Sequence, residues 1–194
     1  SFTFTVSDGS LVATGTVSIT VTPVNDGPVA NNQSVTTPED TSTNLVLVGS
    51  DVESAVTFAI LDNPTNGVIS GFDTNSGALT YTPGTNYNGP DSFTFTVTDG
   101  SLLATGTVSL TVTPVNDGPV ANNQSVTTPE DTSTNLVLTA SDIDSTNLGF
   151  AILTGPTNGG LSLLDTNTGA VTYSPTANYN GPDSFTFTVS DGSL

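Results

Sequence analysis

Residues Ser92–Val112 read SFTFTVTDGSLLATGTVSLTV, and this spelling decides the fold class. Phe93, Phe95 and Val97 alternate with Thr, and Val108, Leu110 and Val112 alternate with Ser and Thr beyond the turn Asp99-Gly100-Ser101. A period of two places each apolar set on one face of an extended strand. Two such runs joined through Asp, Gly and Ser form an antiparallel hairpin, since Gly accepts positive φ and Asp bonds its own backbone.

The same words recur on either side. Ser1–Leu11, SFTFTVSDGSL, returns letter for letter as Ser184–Leu194, and Thr20–Leu47 returns unchanged at Thr111–Leu138, a period of about 91 residues. Tyr81 and Tyr173 lie one residue further apart, which places an insertion after Asp142. That period is long for a solenoid unit and suits a self-contained sandwich domain. Seven strands are predicted in one repeat, over Val29–Thr36, Asn44–Gly49, Val56–Leu61, Gly67–Phe72, Ala78–Thr82, Ser92–Thr98 and Leu103–Val112, with turns at DNPTNG, DTNSG and TDGS. The expected fold is all-β, tandem Greek-key β-sandwich domains arranged as a rod. Residues 1–26 read as the last hairpin and linker of a preceding repeat, 27–117 as a complete repeat with its linker, and 118–194 as a following repeat lacking its last strand. Tyr87 and Tyr179, in NYNGPD, are placed to fold back on the chain as a tyrosine corner.

Composition narrows the chemistry. The 194 residues hold 18 acidic side chains and no Lys, Arg, His or Cys, for a formal charge of −18. Imidazole or amine acid–base catalysis, phosphate and nucleic-acid binding, thiolate chemistry and His/Cys zinc sites all lack their residues. Carboxylate chemistry alone survives, and nothing marks the paired acids of a glycosidase, so no enzyme is expected. No apolar run is long enough for a membrane helix, and none is expected to insert.

The acids gather beside turns, in PVND, PED, DVES or DIDS, and DGS. Without a basic residue, neighbouring carboxylates either face water or share a divalent cation. Calcium fits best, accepting six to eight oxygens from Asp, Glu, Asn and carbonyls with forgiving geometry. Asp142-Ile143-Asp144 and Asp51-Val52-Glu53 each put two acids on one side of an extended segment, and neither is an EF-hand loop. Asp62, Asp73, Asp91, Asp165 and Asp183 read as turn caps.

LVLTASDIDSTNLGFAIL resembles the cadherin segment in which a D-x-D pair follows the second strand, and FDTNSGALT and LDTNTGAVT are similar to the cadherin I-D-x-x-T-G-x-I turn. FTVTDGSLLATGTVSLTVTPVNDGPV resembles the final hairpin with its D-V-N-D-N-A-P linker, and TPEDTSTNLVL the early x-E-N segment. The resemblance covers the whole chain and is closest to bacterial cadherin-like, immunoglobulin-like tandem repeats of large surface adhesins of the repeats-in-toxin type. It implies calcium at junctions between domains, held at the first by Asn25, Asp26, Asp51, Glu53 and Asp99, and at the second by Glu39, Asn116, Asp117, Asp142, Asp144 and Asp191. Asp40 would be an auxiliary, and Glu130 and Asp8 would serve junctions only partly contained in this sequence. The pattern departs from the family where Pro23 and Pro114 replace the linker's first acid, Gly27 and Gly118 replace its second Asn, and no L-D-R-E segment precedes Ser92. One or two ions per junction are therefore expected.

The function so implied is a structural segment of an extracellular, cell-surface adhesin stalk or filament, rigidified by calcium. Its partners would be neighbouring repeats of the same chain or filament, with glycans or a host surface reached through other domains. A carbohydrate-binding module accessory to a polysaccharide-active enzyme, which needs an aromatic platform, is the first alternative. A filament subunit joined by strand exchange between chains is the second.

Overall fold

The computed structural model describes residues 1–193, and every regular element among them is a strand. Two compact units are formed, one from residues 1–37, 41–84 and 90–111, the other from 38–40, 85–89 and 112 onward.

In the first unit, β1 (Phe2–Ser7) and β2 (Val12–Val17) make an isolated antiparallel hairpin, Phe2 opposite Val17 and Ser7 opposite Val12. The body follows as β3 (Val29–Ala30), β4 (Gln33–Pro38), β5 (Thr43–Val46), β6 (Gly49–Ser50), β7 (Thr57–Asp62), β8 (Gly67–Ser70), β9 (Ala78–Pro83), β10 (Gly89–Thr98) and β11 (Leu103–Thr113). One sheet runs β4-β11-β10-β7 and the other β5-β9-β8, with β3–β6 as a short bridge. This is the expected β-sandwich. The period-two pattern of β10 buries Phe93, Phe95 and Val97, β11 adds Val108 and Leu110, and the second sheet contributes Leu45, Leu79 and Tyr81. Phe58 of β7 meets Phe95 in a tilted ring pair with centroids 6.5 Å apart.

Two predicted strands are each split in two. Over Val29–Thr36 the chain leaves β6 for β11: Asn31 N–H donates to the Val48 carbonyl and Asn32 Oδ1 accepts from Thr107 N–H. Over Asn44–Gly49 the break falls after Val46, where Leu47 N–H donates to the Gly77 carbonyl before β6 pairs with β3. Alternation along a strand is unaffected when the chain changes partner, so the sequence reads as one run where the ladder has two. The remaining strands shift by one to three residues at their ends.

The second unit contains β12 (Val120–Ala121), β13 (Thr134–Val137), β14 (Ala140–Ser141), β15 (Gly149–Thr154), β16 (Gly159–Leu161), β17 (Ala170–Pro175) and β18 (Thr186–Ser190). Its sheets are β13-β17-β16 and β15-β18, with β12–β14 repeating the short bridge. Leu138, Phe150 and Val171 form its buried core, flanked by Leu136, Ile152, Phe185, Phe187 and Val189. Residues 124–129 repeat the spelling of β4, QSVTTP, yet lie outside any strand.

The Asp residues read as turn caps divide into three kinds. Asp73 and Asp165 cap locally, Asp73 Oδ1 accepting from Asn75 and Ser76 N–H and Asp165 Oδ1 from Asn167 and Thr168 N–H, and both carboxyls are held below their ordinary range by these donors. Asp62 caps no turn; its carboxylate accepts from the Thr94 hydroxyl across the β7–β10 pair. Asp91 secures a turn far away in sequence: its oxygens accept from Thr65 N–H (3.0 Å), Asn66 N–H (3.1 Å) and the buried Tyr81 hydroxyl (2.8 Å). Asp183 does the same with Thr157, Asn158 and Tyr173. Gly67 makes the Tyr81 geometry possible, since a Cβ there would stand 2.4 Å from the ring. The tyrosine corner forms at Tyr179, whose hydroxyl donates to the Pro182 carbonyl at 2.6 Å.

Candidate metal centre

The linker acids and the acids after the second strand come together twice, in the same arrangement. In the first unit Asn25 Nδ2 donates to Asp99 Oδ2 at 2.7 Å and to the Asp26 carbonyl at 3.1 Å, while Asp26 N–H donates to Glu53 Oε2 at 3.1 Å. Asp51 Oδ1 accepts from the N–H groups of Glu53 and Ser54, which turns the segment back on itself. Five sequence-predicted residues are thereby joined in one network.

The second unit repeats it. Asn116 Nδ2 bridges Asp191 Oδ2 and the Asp117 carbonyl, Asp117 N–H donates to Asp144 Oδ2 at 2.7 Å, and Asp142 Oδ1 accepts from Asp144 and Ser145 N–H. Glu39, only 2% exposed, accepts from Val115 N–H at 2.7 Å, one residue before Asn116. Asp40, in a left-handed conformation (φ 56°), spends one oxygen on Asn86 N–H, and Asp131 repeats this on Asn178. Glu130 and Asp8 stand outside both networks, Asp8 capping its own turn on Ser10 and Leu11 N–H.

Electrostatics separates the members of these networks. Asp99 is held below the ordinary carboxylate range by the N–H of Leu102, then the Asn25 amide and the N–H of Ser101. Asp117 moves the other way: loss of hydration, then the carboxylates of Asp144, Asp40, Glu39 and Asp142, push its proton affinity up. A carboxyl so placed, with no basic side chain anywhere in the sequence, lacks a counter-charge. Among the described residues, Asp51 Oδ2, Asp117 Oδ2 and Asp142 Oδ2 are buried and accept no hydrogen bond. Asp51 and Asp142 are counterparts in the two repeats, so the same oxygen is left bare twice. An unsatisfied buried acceptor is costly, and a carboxylate oxygen more so.

No three acidic side chains among the described residues converge closely enough to grip an ion as they stand. Asp51, Glu53, Asp99, Asp142, Asp144 and Asp191 each already spend an oxygen on an N–H donor. The donor set is nonetheless the hard-oxygen kind, carboxylates with Asn amide carbonyls, that suits calcium.

A family model described as Bacterial Ig domain matches residues 25–113 and again 116–194. The chain belongs to the bacterial Ig domain family. Solved structures place these Ig domains beside cadherins in fold: human Protocadherin-24 EC1-2 aligns over 86% of this chain and 94% of its own length, with TM-score 0.53 and 17% identity. PcdhgB3 EC1-4 aligns over 95% of this chain and 54% of its own, with TM-score 0.59 and 14% identity. An endo-fucoidan hydrolase of glycoside hydrolase family 107 is 22% identical over the full chain with TM-score 0.42, and this chain spans 32% of its length. Curated proteins give no match. The chain is thus a bacterial, immunoglobulin-like and cadherin-like tandem β-sandwich, and no helix among the described residues is long and apolar enough to cross a membrane.

Sequence reading brought the network residues to one place in each repeat but missed the Asp91–Tyr81 and Asp183–Tyr173 clamps. Their signal was present as a Tyr and an Asp ten residues apart, preceding the sixth strand in both repeats.

Proposed function

We propose that this chain is a spacer segment of an extracellular surface stalk or filament, such as a repeats-in-toxin type adhesin, and that calcium taken up at its linkers stiffens it. The domain units of this reading are the repeats 27–117 and 118–194. The observation that carries it is the bare, buried oxygen left at Asp51 and again at Asp142, joined in the second network by that of Asp117. Asn25, Asp26, Asp51, Glu53 and Asp99 would hold one ion site. Glu39, Asn116, Asp117, Asp142, Asp144 and Asp191 would hold the other. The ion would supply the positive charge that the sequence lacks, and the side chains would supply oxygen ligands, the bare Oδ2 atoms of Asp51, Asp117 and Asp142 first among them. Near-identical repeats support a spacer role, because a rod needs interchangeable units.

Three of the four tyrosines are committed elsewhere than to the aromatic platform that a carbohydrate-binding module needs. Tyr81 is wholly buried, Tyr173 is bound to Asp183 and Tyr179 is folded onto Pro182.

The test is calorimetric titration of the chain with calcium, alongside Asp51→Asn and Asp142→Asn variants. Binding lost from one site in each single variant and from both in the pair supports the assignment. Binding unchanged in the pair, or no binding in the wild type, refutes it.

A further inference from the structure

In each network the linker reaches the carboxylates through its own hydrogen-bond donors. Asn25 Nδ2 carries two N–H groups and spends both, one on Asp99 Oδ2 at 2.7 Å and one on the Asp26 carbonyl at 3.1 Å. The next donor along the chain, Asp26 N–H, goes to Glu53 Oε2. In the second network Asn116 Nδ2 lies between Asp191 Oδ2 and the Asp117 carbonyl, and Asp117 N–H goes to Asp144 Oδ2. Two amides at the same place in two repeats therefore sit the same way round.

Charge sets that orientation. Turned end for end, the amide would put Oδ1 against a carboxylate oxygen, acceptor facing acceptor, and the sequence has no Lys, Arg or His to relieve the clash. With its donor end forward the amide makes a charge-assisted bond instead, about twice as strong as one between neutral groups. The carboxylate is satisfied by the nearest thing to a cation that the chain itself possesses.

The oxygen held by the amide is also the one that can serve a ligand. Asp99 Oδ1 is tied into its own turn by Ser101 and Leu102 N–H, each at 2.6 Å, and Asp191 Oδ1 by Ser193 N–H at 2.8 Å. Oδ2 is left to face the linker in both. A cation on that oxygen reverses the preference of the amide, because the hydrogens of Nδ2 are repelled by positive charge and Oδ1 is attracted to it. Asn25 and Asn116 are exposed, and the terminal torsion of Asn is soft and roughly two-fold, so the group can turn without disturbing the core.

We propose that Asn25 and Asn116 are two-way amide switches, each bridging the linker to the DGS turn through Nδ2 without calcium and turning Oδ1 toward the ion with it. The proposal rests on reading the two networks as calcium sites. Residues 25 and 116 stay bound to the hairpin turn in either condition, and calcium uptake costs each site the two hydrogen bonds of its amide. Asn at this position therefore trades affinity for a tether that works without the ion.

The experiment follows the side-chain amide resonances of the 15N-labelled 194-residue chain, assigned by their loss in Asn25→Asp and Asn116→Asp, first in chelator and then through a calcium titration. In chelator the Asn25 and Asn116 amide protons should resonate downfield of the other Asn side chains, as donors to a carboxylate do. They should lose that displacement in step with the backbone shifts of residues 51–54 and 142–145. Each Asp variant should melt several degrees lower than the wild type in chelator, because two carboxylates then face each other. It should bind calcium about tenfold more tightly, since affinity follows the count of ligand charges. Amide protons that are not displaced in chelator overturn the inference. Protons that stay displaced while the backbone shifts saturate also overturn it and leave the calcium reading standing. Backbone shifts indifferent to calcium defeat that reading and the switch together, and displaced amides then mark a plain structural tether. An Asp variant that folds by circular dichroism yet melts like the wild type in chelator removes the tether and refutes the switch.

Discussion

Asp91→Ala should be among the most damaging single changes in the first repeat, although Asp91 faces no cation. Its carboxylate is 9% exposed and accepts from Thr65 N–H, Asn66 N–H and Ser92 N–H as well as from the Tyr81 hydroxyl, and Tyr81 is wholly buried. Hydrogen bonds to a charged acceptor contribute about 1.5–3 kcal/mol, and a buried donor left without a partner costs about 1–3 kcal/mol. The Ala variant takes the Asp91 acceptor from the Tyr81 hydroxyl and from the 65–66 turn, for a loss of about 3–5 kcal/mol. At about 4–8 °C per kcal/mol for a domain of this size, the melting temperature of the first repeat should fall by roughly 12 °C or more. The discriminating step is a double-mutant cycle read by urea unfolding. Tyr81→Phe in the wild type removes one charged bond and should cost about 1.5–3 kcal/mol. In the Asp91→Ala background the bond to Asp91 is already gone, and the change should cost less than about 0.5 kcal/mol. Equal penalties in both backgrounds would show that Tyr81 stabilises by ring packing alone, and the clamp would lose its energetic role.

Further outcomes follow from the same geometry. Gly67→Ala forces a methyl to within 2.4 Å of the Tyr81 ring and should cost about 1–3 kcal/mol, whereas Gly160→Ala meets nothing within 4 Å and should stay within about 0.5 kcal/mol by the same unfolding assay. Five millimolar calcium acting on a site of about 0.5 mM affinity should stabilise by about 1.4 kcal/mol, seen as a rise in melting temperature that Asp142→Ala with Asp144→Ala abolishes. An unchanged wild-type melting curve would defeat the calcium reading. The pH profile in chelator has two signs. Asp73, Asp99, Asp165 and Asp183 have lowered proton affinity when folded, so their stabilisation is complete above the unfolded value of 3.8 and is lost as pH falls through their folded values. Asp117 is raised, so the fold binds its proton more readily and gains stability as pH falls through that raised value. The unfolding midpoint should therefore rise slightly on mild acidification and collapse below 3.8, with Asp117→Asn removing only the rise. A midpoint that declines steadily from neutrality would contradict the assignment at Asp117.

The fold was legible because each strand states its buried face in a period of two, and the turns carry Asp, Asn and Gly where the backbone needs them. The splits in the strands over Val29–Thr36 and Asn44–Gly49 were not, since a change of partner leaves alternation untouched. The two networks were legible as clusters of acids without counter-charge. Their internal wiring was not: Asn25 and Asn116 tether the DGS turn of the closing hairpin through their amide groups, a role that depends on which way an amide points rather than on its place in the sequence. The Asp91 clamp escaped for another reason. It joins residues 25 and 26 positions apart through backbone N–H groups, and a backbone donor leaves no letter to read.

The two copies of one strand show where local sequence stops deciding structure. Val108, Leu110 and Val112 alternate in β11 and are sealed between β4 and β10 on one side and the second sheet's Leu45, Leu79 and Tyr81 on the other. Val17, Ile19 and Val21 carry the same pattern, yet the strand ends at Val17 and the two residues beyond stay exposed. The pattern fixes which face a strand would bury and gives it no ladder on which to do so; hydrogen-bond partners on both edges do that. Residues 124–129 make the complementary point, since a sequence that forms β4 in one repeat forms no strand in the other. What distinguishes β4 from its copy is the presence of β11 beside it.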